Sequence, residues 1–170
     1  PGGDESLDLQ ADRFIAAQAI MLSLVGLPGI YFHSLFGSRG WPEGVKRTGQ
    51  NRTINREKLR LNELQCELED ENSLRSKVFT RYCELLKARS QRSAFDPHGT
   101  QKVLDMNRSV FAIERISPDE KERTLCLHNV SKRHISLSLS YEFATDLFTG
   151  QVLSISTLIL EPYQVQWMKL

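Results

Sequence analysis

The chain has 170 residues, 40% of them hydrophobic and 25% charged, which suits a globular protein with its own core and excludes an intrinsically disordered one. The formal net charge is +1, and the basic residues mostly sit beside acidic ones, so nothing points to nucleic acid or to an anionic membrane surface as a partner.

Residues 1–8 form a polar lead-in without the pattern of a signal peptide. From Leu9 to Val25 the run "LQADRFIAAQAIMLSLV" predicts a helix, apolar on almost every side and therefore buried on more than one face. Gly26 is suited to cap it, and Pro28 stops it. The apolar stretch from Phe14 to Ile30 holds Gln18, Ser23, two glycines and a proline, which makes a poor membrane span. "GIYFHS" at residues 29–34 predicts a strand covered on both faces. Residues 35–55 read as a long loop just beyond that strand, where α/β proteins place their sites.

Residues 56–69 are charged and read as helical. A second helix spans about Ser73 to Ser90, with Leu74, Val78, Tyr82, Leu85, Leu86 and Arg89 on one stripe. After "FDPHG" the period becomes two. "VFAIERI", "TLCLHNV", "ISLSLSYEF", "QVLSIS" and "LILEPYQVQWMKL" predict an antiparallel sheet with one buried face. Tyr163 and Trp167 are placed in its core, and Asp119, Glu120 and Glu122 in a solvated turn. The three cysteines, Cys66, Cys83 and Cys126, form no C-x-x-C pair, and their odd number argues against a disulfide framework. A reducing, cytoplasmic setting follows.

A single parallel-type strand cannot make a sheet, so the first half looks like the tail of a barrel. Residues 12–59, "DRFIAAQAIMLSLVGLPGIYFHSLFGSRGWPEGVKRTGQNRTINREKL", resemble the C-terminal part of sucrose phosphorylases, a branch of the α-amylase superfamily. The helix–strand motif carries the superfamily; "FHSLFGS" and "NRTINREKL" carry the branch, and the ending "PYQVQWMKL" resembles its C-terminal sheet domain. The resemblance implies an α/β + β architecture. Residues 1–92 would be the last helix–strand–helix part of a (β/α)8 barrel, and 93–170 an antiparallel β-sheet domain.

It also implies an activity. A glucosyl phosphorylase of this branch works by retaining double displacement, with two carboxyl groups about 5–5.5 Å apart. Inorganic phosphate then releases α-glucose 1-phosphate from an α-glucoside. The donor could be sucrose, sucrose 6-phosphate or glucosylglycerate. The catalytic carboxylates would lie on earlier barrel strands, in the missing N-terminal barrel portion, so no catalytic residue is assigned and the isolated chain is expected to be inactive.

Arg52 falls in "NRTINR" where the branch places an arginine near the acceptor and phosphate site, and a planar guanidinium fork suits a phosphate dianion. Asn55 and Arg56 share the motif, with hydrogen bonding within the loop as the competing role. His33 and Arg39 are further substrate-binding candidates at the strand end and the pocket rim, with Ser34 and Ser38 beside them and, for His33, packing beneath the site as the competing role. Adjacent strand residues point to opposite faces, so His33 and Ser34 cannot form part of a triad. Gly37 is expected to supply an unusual backbone angle. Trp41 either stacks on a sugar ring or anchors the loop by packing. His98, His128 and His134 are scattered in the β half and make zinc improbable, so no metal and no cofactor are expected. Two other classes compete: a hydrolase or transglycosidase of the same superfamily, and a non-catalytic sugar-binding module. An isolated last strand would expose an apolar patch, which leaves a homodimer open.

Overall fold

The structure, a computed structural model, describes residues 5–170. Residues 1–4 of the polar lead-in lie outside the described residues. Helix α1 spans Leu7–Ser23, and the Ser6 hydroxyl caps it by accepting from the Leu9 N–H at 3.3 Å. Its buried face is narrower than the all-apolar sequence predicts. Ala11, Ile15, Ala19 and Leu22 are buried, while Ala17 is exposed and Phe14, Ile20 and Met21 are half-buried.

The strand expected at residues 29–34 does not form. Tyr31 is extended, with φ −80° and ψ 136°, but has no ladder partner, and Phe32–Leu35 coils into the one-turn helix α2. Backbone polar groups need a neighbouring strand to make a ladder, and this chain offers none there. The apolar side chains are correspondingly open: Leu27 is 86% exposed, and Tyr31 and Phe32 about half. The long loop predicted over 35–55 is also more ordered than its composition suggests. It contains helix α3, Pro42–Thr48, with Pro42 at the first position, and a 3-10 helix, Asn51–Asn55. Helix α4 spans Leu61–Glu69, and residues 56–60, expected to be helical, precede it as irregular chain. Helix α5, Leu74–Ser90, follows the prediction, with Ser73 accepting from Ser76 N–H at 3.0 Å. Val78, Tyr82 and Leu85 are its buried stripe; Arg89 leaves that stripe and turns beneath the end of α1.

Eight strands follow: β1 Thr100–Asn107, β2 Val110–Ile116, β3 Arg123–Asn129, β4 Ile135–Ser138, β5 Phe143–Asp146, β6 Val152–Ser154, β7 Thr157–Leu160 and β8 Val165–Lys169. Six of them make one sheet in the order β1-β2-β3-β8-β5-β6, and β4 pairs with β7. Every pairing among the described residues is antiparallel. Strand β1 carries no predicted alternation because it is an exposed edge, with Val103 63% exposed.

The expectation of one buried face fails for the central strands. Ile113, Cys126 and Trp167 face α1 and α5, while Ala112, Leu125, Leu127 and Met168 face Ile135, Leu137 and Leu160 of the small β4–β7 sheet. Strand β3 is buried at all but its first residue. Three layers result: a helix pair, the six-stranded sheet and the two-stranded sheet. Trp167 is in the core, as predicted. Tyr163 is not: it is half-buried in the turn before β8, at φ 55°. Glu122 also departs from the solvated turn. Its carboxylate accepts from the Ala94 N–H at 3.1 Å and sits 4.0 Å from Arg92, tying the 3-10 turn Ser93–Phe95 to the start of β3.

Two arginines join the helices to the sheet. Arg115 of β2 is fully buried and donates to the carbonyls of Ser23 (3.1 Å), Asp96 (3.0 Å) and Thr100 (3.3 Å). Arg89 of α5 donates to the carbonyls of Leu22 and Gly26. Together they satisfy carbonyls that the end of α1 leaves without helical partners. Gly26 turns the chain there with φ 110°, although the helix itself ends at Ser23. Among the described residues no helix is long and apolar enough to cross a membrane.

His128 lies in the sheet core. Trp167 Nε1–H donates to its Nε2 at 3.1 Å, and its Nδ1 meets the Phe111 carbonyl at 2.9 Å, which makes Nδ1 the protonated nitrogen. Burial pushes its pKa down from 6.5 to about 4.

Two expectations follow from this packing. The unfolded chain takes up a proton near pH 6.5 that the folded ring refuses until about pH 4. The stability from neutral His128 is therefore complete above pH 6.5 and falls by about 3 kcal/mol as pH drops toward 4. Urea-unfolding midpoints measured from pH 7 to pH 4 will show that slope, and His128→Gln will lose this part of it. Arg115→Ala strands three carbonyls in the interior and costs about 3 kcal/mol, read as a lowered midpoint in the same assay.

Candidate functional site

The segment between α1 and α4 carries the candidate residues. The loop 35–41 depends on two glycines. Gly37 has φ 56°, as the sequence predicts, and a Cβ there would lie 2.9 Å from Val78 Cγ2. Gly40 packs against Ile54, and the Trp41 N–H donates to the Ile54 carbonyl at 2.7 Å. Trp41 then folds its ring over Gly44, with the Arg47 guanidinium 4.9 Å from the ring centroid. Of the two roles weighed for Trp41, the packed anchor is the one this geometry supports.

The three motif residues lie together on the 3-10 turn and its end, all exposed. Arg52 Nε donates to Gln50 Oε1 at 3.3 Å, and among the described residues no carboxylate pairs with it. The Asn55 carbonyl accepts from the Tyr31 hydroxyl, which ties this turn back to the head of α2. Arg56 borders a cavity of about 680 Å3 with Trp41, Arg47, Thr48, Thr53 and Lys58. Arg47, Arg56, Lys58 and Arg60 outnumber Glu57 and Glu63 around it, and the Thr48 and Thr53 hydroxyls bond each other at 2.9 Å. Such a lining of cations and hydroxyls suits an anionic or polyhydroxylated ligand.

Arg39 sits apart from that cavity. It donates to Gln10 Oε1 at 2.8 Å and lies between a cavity of about 610 Å3 against α1 and one of about 280 Å3 toward Trp41. His33 is half-buried between Tyr31 and Phe32, with ring centroids 5.4 and 5.5 Å away. Its partner is Ser38, not Ser34: Nδ1 lies 3.0 Å from Ser38 Oγ. Arg75 of α5 donates to that same oxygen at 2.8 Å and pairs with Glu67 of α4. A serine held by a guanidinium, with no carboxylate among the described residues bonded to the histidine, lacks the parts of a nucleophilic triad.

The structure thus gathers Arg52, Asn55 and Arg56 with Tyr31, and joins His33 to Ser38. Arg39 it leaves outside the Arg56 cavity, bonded to Gln10 of α1. Arg47, Arg75 and Glu67 escape sequence reasoning. Arg75 looks like any charged residue on a helix, because its partner Ser38 is 37 positions away in the chain. Arg47 had a local signal: Pro42 opens a helix that returns Arg47 to the ring of Trp41. Elsewhere, His134 pairs with Glu161 at 2.6 Å and His98 is exposed. Among the described residues no three His, Cys, Asp or Glu side chains gather as metal ligands.

Comparison with known proteins finds relatives of this chain. No protein-family model matches the chain. Its curated relatives are glucosyl phosphorylases. It is 57% identical over 122 residues to the glucosylglycerate phosphorylase of Spirochaeta thermophila, covering 72% of this chain and 21% of that protein. It is 38% identical over 167 residues to the glucosylglycerate phosphorylase of Allomeiothermus silvanus, covering 98% of this chain and 28% of that one. The chain therefore spans between about a fifth and just over a quarter of the length of these relatives. Among solved structures, the trehalulose synthase MutB of Pseudomonas mesoacidophila matches with a TM-score of 0.65, at 16% identity, over 93% of this chain and 38% of that one; the likeness is one of fold. The resemblance to the sucrose phosphorylase-like branch of the α-amylase superfamily is borne out by these matches.

The anchor can be broken at one atom. A Cβ on Gly44 would lie 2.1 Å from Trp41 Cε3, so Gly44→Ala must push the ring out of its seat. We expect red-shifted tryptophan fluorescence, since Trp167 stays buried, and a loss of about 1–3 kcal/mol in thermal or urea unfolding.

Proposed function

We propose that this chain is the C-terminal part of a retaining glucosyl phosphorylase whose α-glucoside is glucosylglycerate. In this reading a carboxylate of the complete protein displaces glycerate, and phosphate then displaces that carboxylate from the glucosyl carbon to give α-glucose 1-phosphate. The identity of 57% over 122 residues with a protein of that name carries the proposal. The cation-lined cavity at Arg47, Arg56 and Lys58 supports it, because both phosphate and a glycerate carboxylate are anions that guanidinium groups bind well. Arg52, Asn55 and Arg56 take the acceptor and phosphate side; His33 and Arg39 line the approach.

Residues 1–92 are assigned to the barrel and 93–170 to the β-sheet domain. The remaining barrel is the partner that would cover Leu27 and Ile30, which this chain exposes. The chain alone is taken to be inactive, because the two carboxyl groups of the retaining mechanism are assigned to that remainder. Three cysteines, all free, support a reducing, cytoplasmic compartment.

The test is an assay of the complete protein with glucosylglycerate, sucrose and sucrose 6-phosphate, each with and without phosphate. The expected outcome is phosphate-dependent release of α-glucose 1-phosphate, fastest with glucosylglycerate. Equal turnover without phosphate would establish a hydrolase or transglycosidase instead. Arg56→Ala and Arg52→Ala should each raise KM for phosphate about ten-fold or more, the value of a lost charge-assisted hydrogen bond.

A further inference from the structure

Ser38 is reached from two sides. Arg75 Nη1 donates to its Oγ at 2.8 Å, and His33 Nδ1 lies 3.0 Å from the same oxygen. Arg75 is itself held in place. Its Nε pairs with the Glu67 carboxylate, and its Nη1 also reaches the Phe36 carbonyl at 3.4 Å. The backbone closes the same ring, with the Ser38 N–H donating to the His33 carbonyl at 2.8 Å.

A guanidinium has N–H donors and no lone pair to offer. Ser38 Oγ is therefore an acceptor toward Arg75, and its own proton must point elsewhere. Among the described residues the acceptor within reach is His33 Nδ1. A neutral imidazole that accepts at Nδ1 carries its proton on Nε2. The reverse arrangement, with Nδ1–H donating to Oγ, would leave the half-buried hydroxyl proton without an acceptor.

We infer that Glu67, Arg75 and Ser38 are positioning residues that lock His33 in the Nε2–H tautomer and make it a fixed hydrogen-bond donor. Its flanks indicate what it would donate to. Tyr31 and Phe32 are exposed, with ring centroids 5.4 and 5.5 Å from the imidazole. Aromatic faces beside a fixed N–H suit a polyhydroxylated ligand, whose C–H face lies on a ring while a hydroxyl oxygen accepts the hydrogen bond. That this ligand is the glucoside rests on the functional reading above; the tautomer does not.

The tautomer is read directly from the ring nitrogens of the nitrogen-15-labelled chain, by long-range proton–nitrogen correlation at a pH above the ring's own titration midpoint in the same series. His33 is expected to show an acceptor-type Nδ1 and a protonated Nε2. His128 should show the opposite pattern, because its Nε2 accepts from Trp167, and so serves as an internal contrast. In Ser38→Ala and in Arg75→Met the His33 resonances should shift toward the average of a free imidazole, while the sheet resonances stay put. Glu67→Gln should shift them part of the way. An averaged or Nδ1–H ring in the wild type overturns the proposal. So does an unmoved tautomer in Ser38→Ala and Arg75→Met with native backbone spectra. If Ser38→Ala does not fold, Arg75→Met and the wild-type spectrum decide. An averaged ring would leave phosphorolysis by the complete protein untouched, and absent phosphorolysis would leave a locked ring standing.

Discussion

The structure depends on the way two guanidinium groups, Arg115 fully buried and Arg89 half-buried, finish helix α1. A helix end leaves carbonyls without partners, and here that end is pressed against the sheet. Arg115 arrives from β2 and Arg89 from α5, and between them they take the carbonyls of Leu22, Ser23 and Gly26. No carboxylate is needed, because the carbonyls already supply the negative ends of dipoles. Burial lowers the pKa of both arginines from their ordinary value, yet arginine stays charged through any physiological range. The same contacts fix where the chain leaves α1, and so where the segment carrying the candidate site begins.

From that point the site is built by short contacts and tied down at a few distant ones. Gly37, Gly40 and Gly44 each give way to a neighbouring side chain, which lets the loop lie close to α5 and to Trp41. The Tyr31 hydroxyl ties the 3-10 turn back to α2, and Arg75 ties Ser38 to the helix layer. Motif residues that are only neighbours in sequence thereby become neighbours on one surface. The apolar side chains between α1 and α2 receive no such cover.

Legibility in the sequence followed how local each feature is. Helix α5 was read to within a residue because its apolar stripe is local. Strand β2 was read at its true limits because alternation is local too. The strand at 29–34 failed because a ladder needs a partner, and partnership is not a property of six residues. Strand β1 was missed because an exposed edge carries no alternation. The second covered face of the sheet was missed because β4 and β7 close over it from far along the chain. At the site, the left-handed Gly37 was legible, whereas the 3-10 turn through Arg52 and Ser38's pairing with Arg75 were not.

By itself the sequence determined helices α1 and α5, the period-two half of the chain and the kinship with glucosyl phosphorylases. All of these reside in the identity and spacing of near neighbours. The tertiary structure decided which faces are covered, which arginines sit buried against carbonyls, and which serine faces His33. Those outcomes depend on contacts between residues tens of positions apart, and such contacts exist only once the chain has packed.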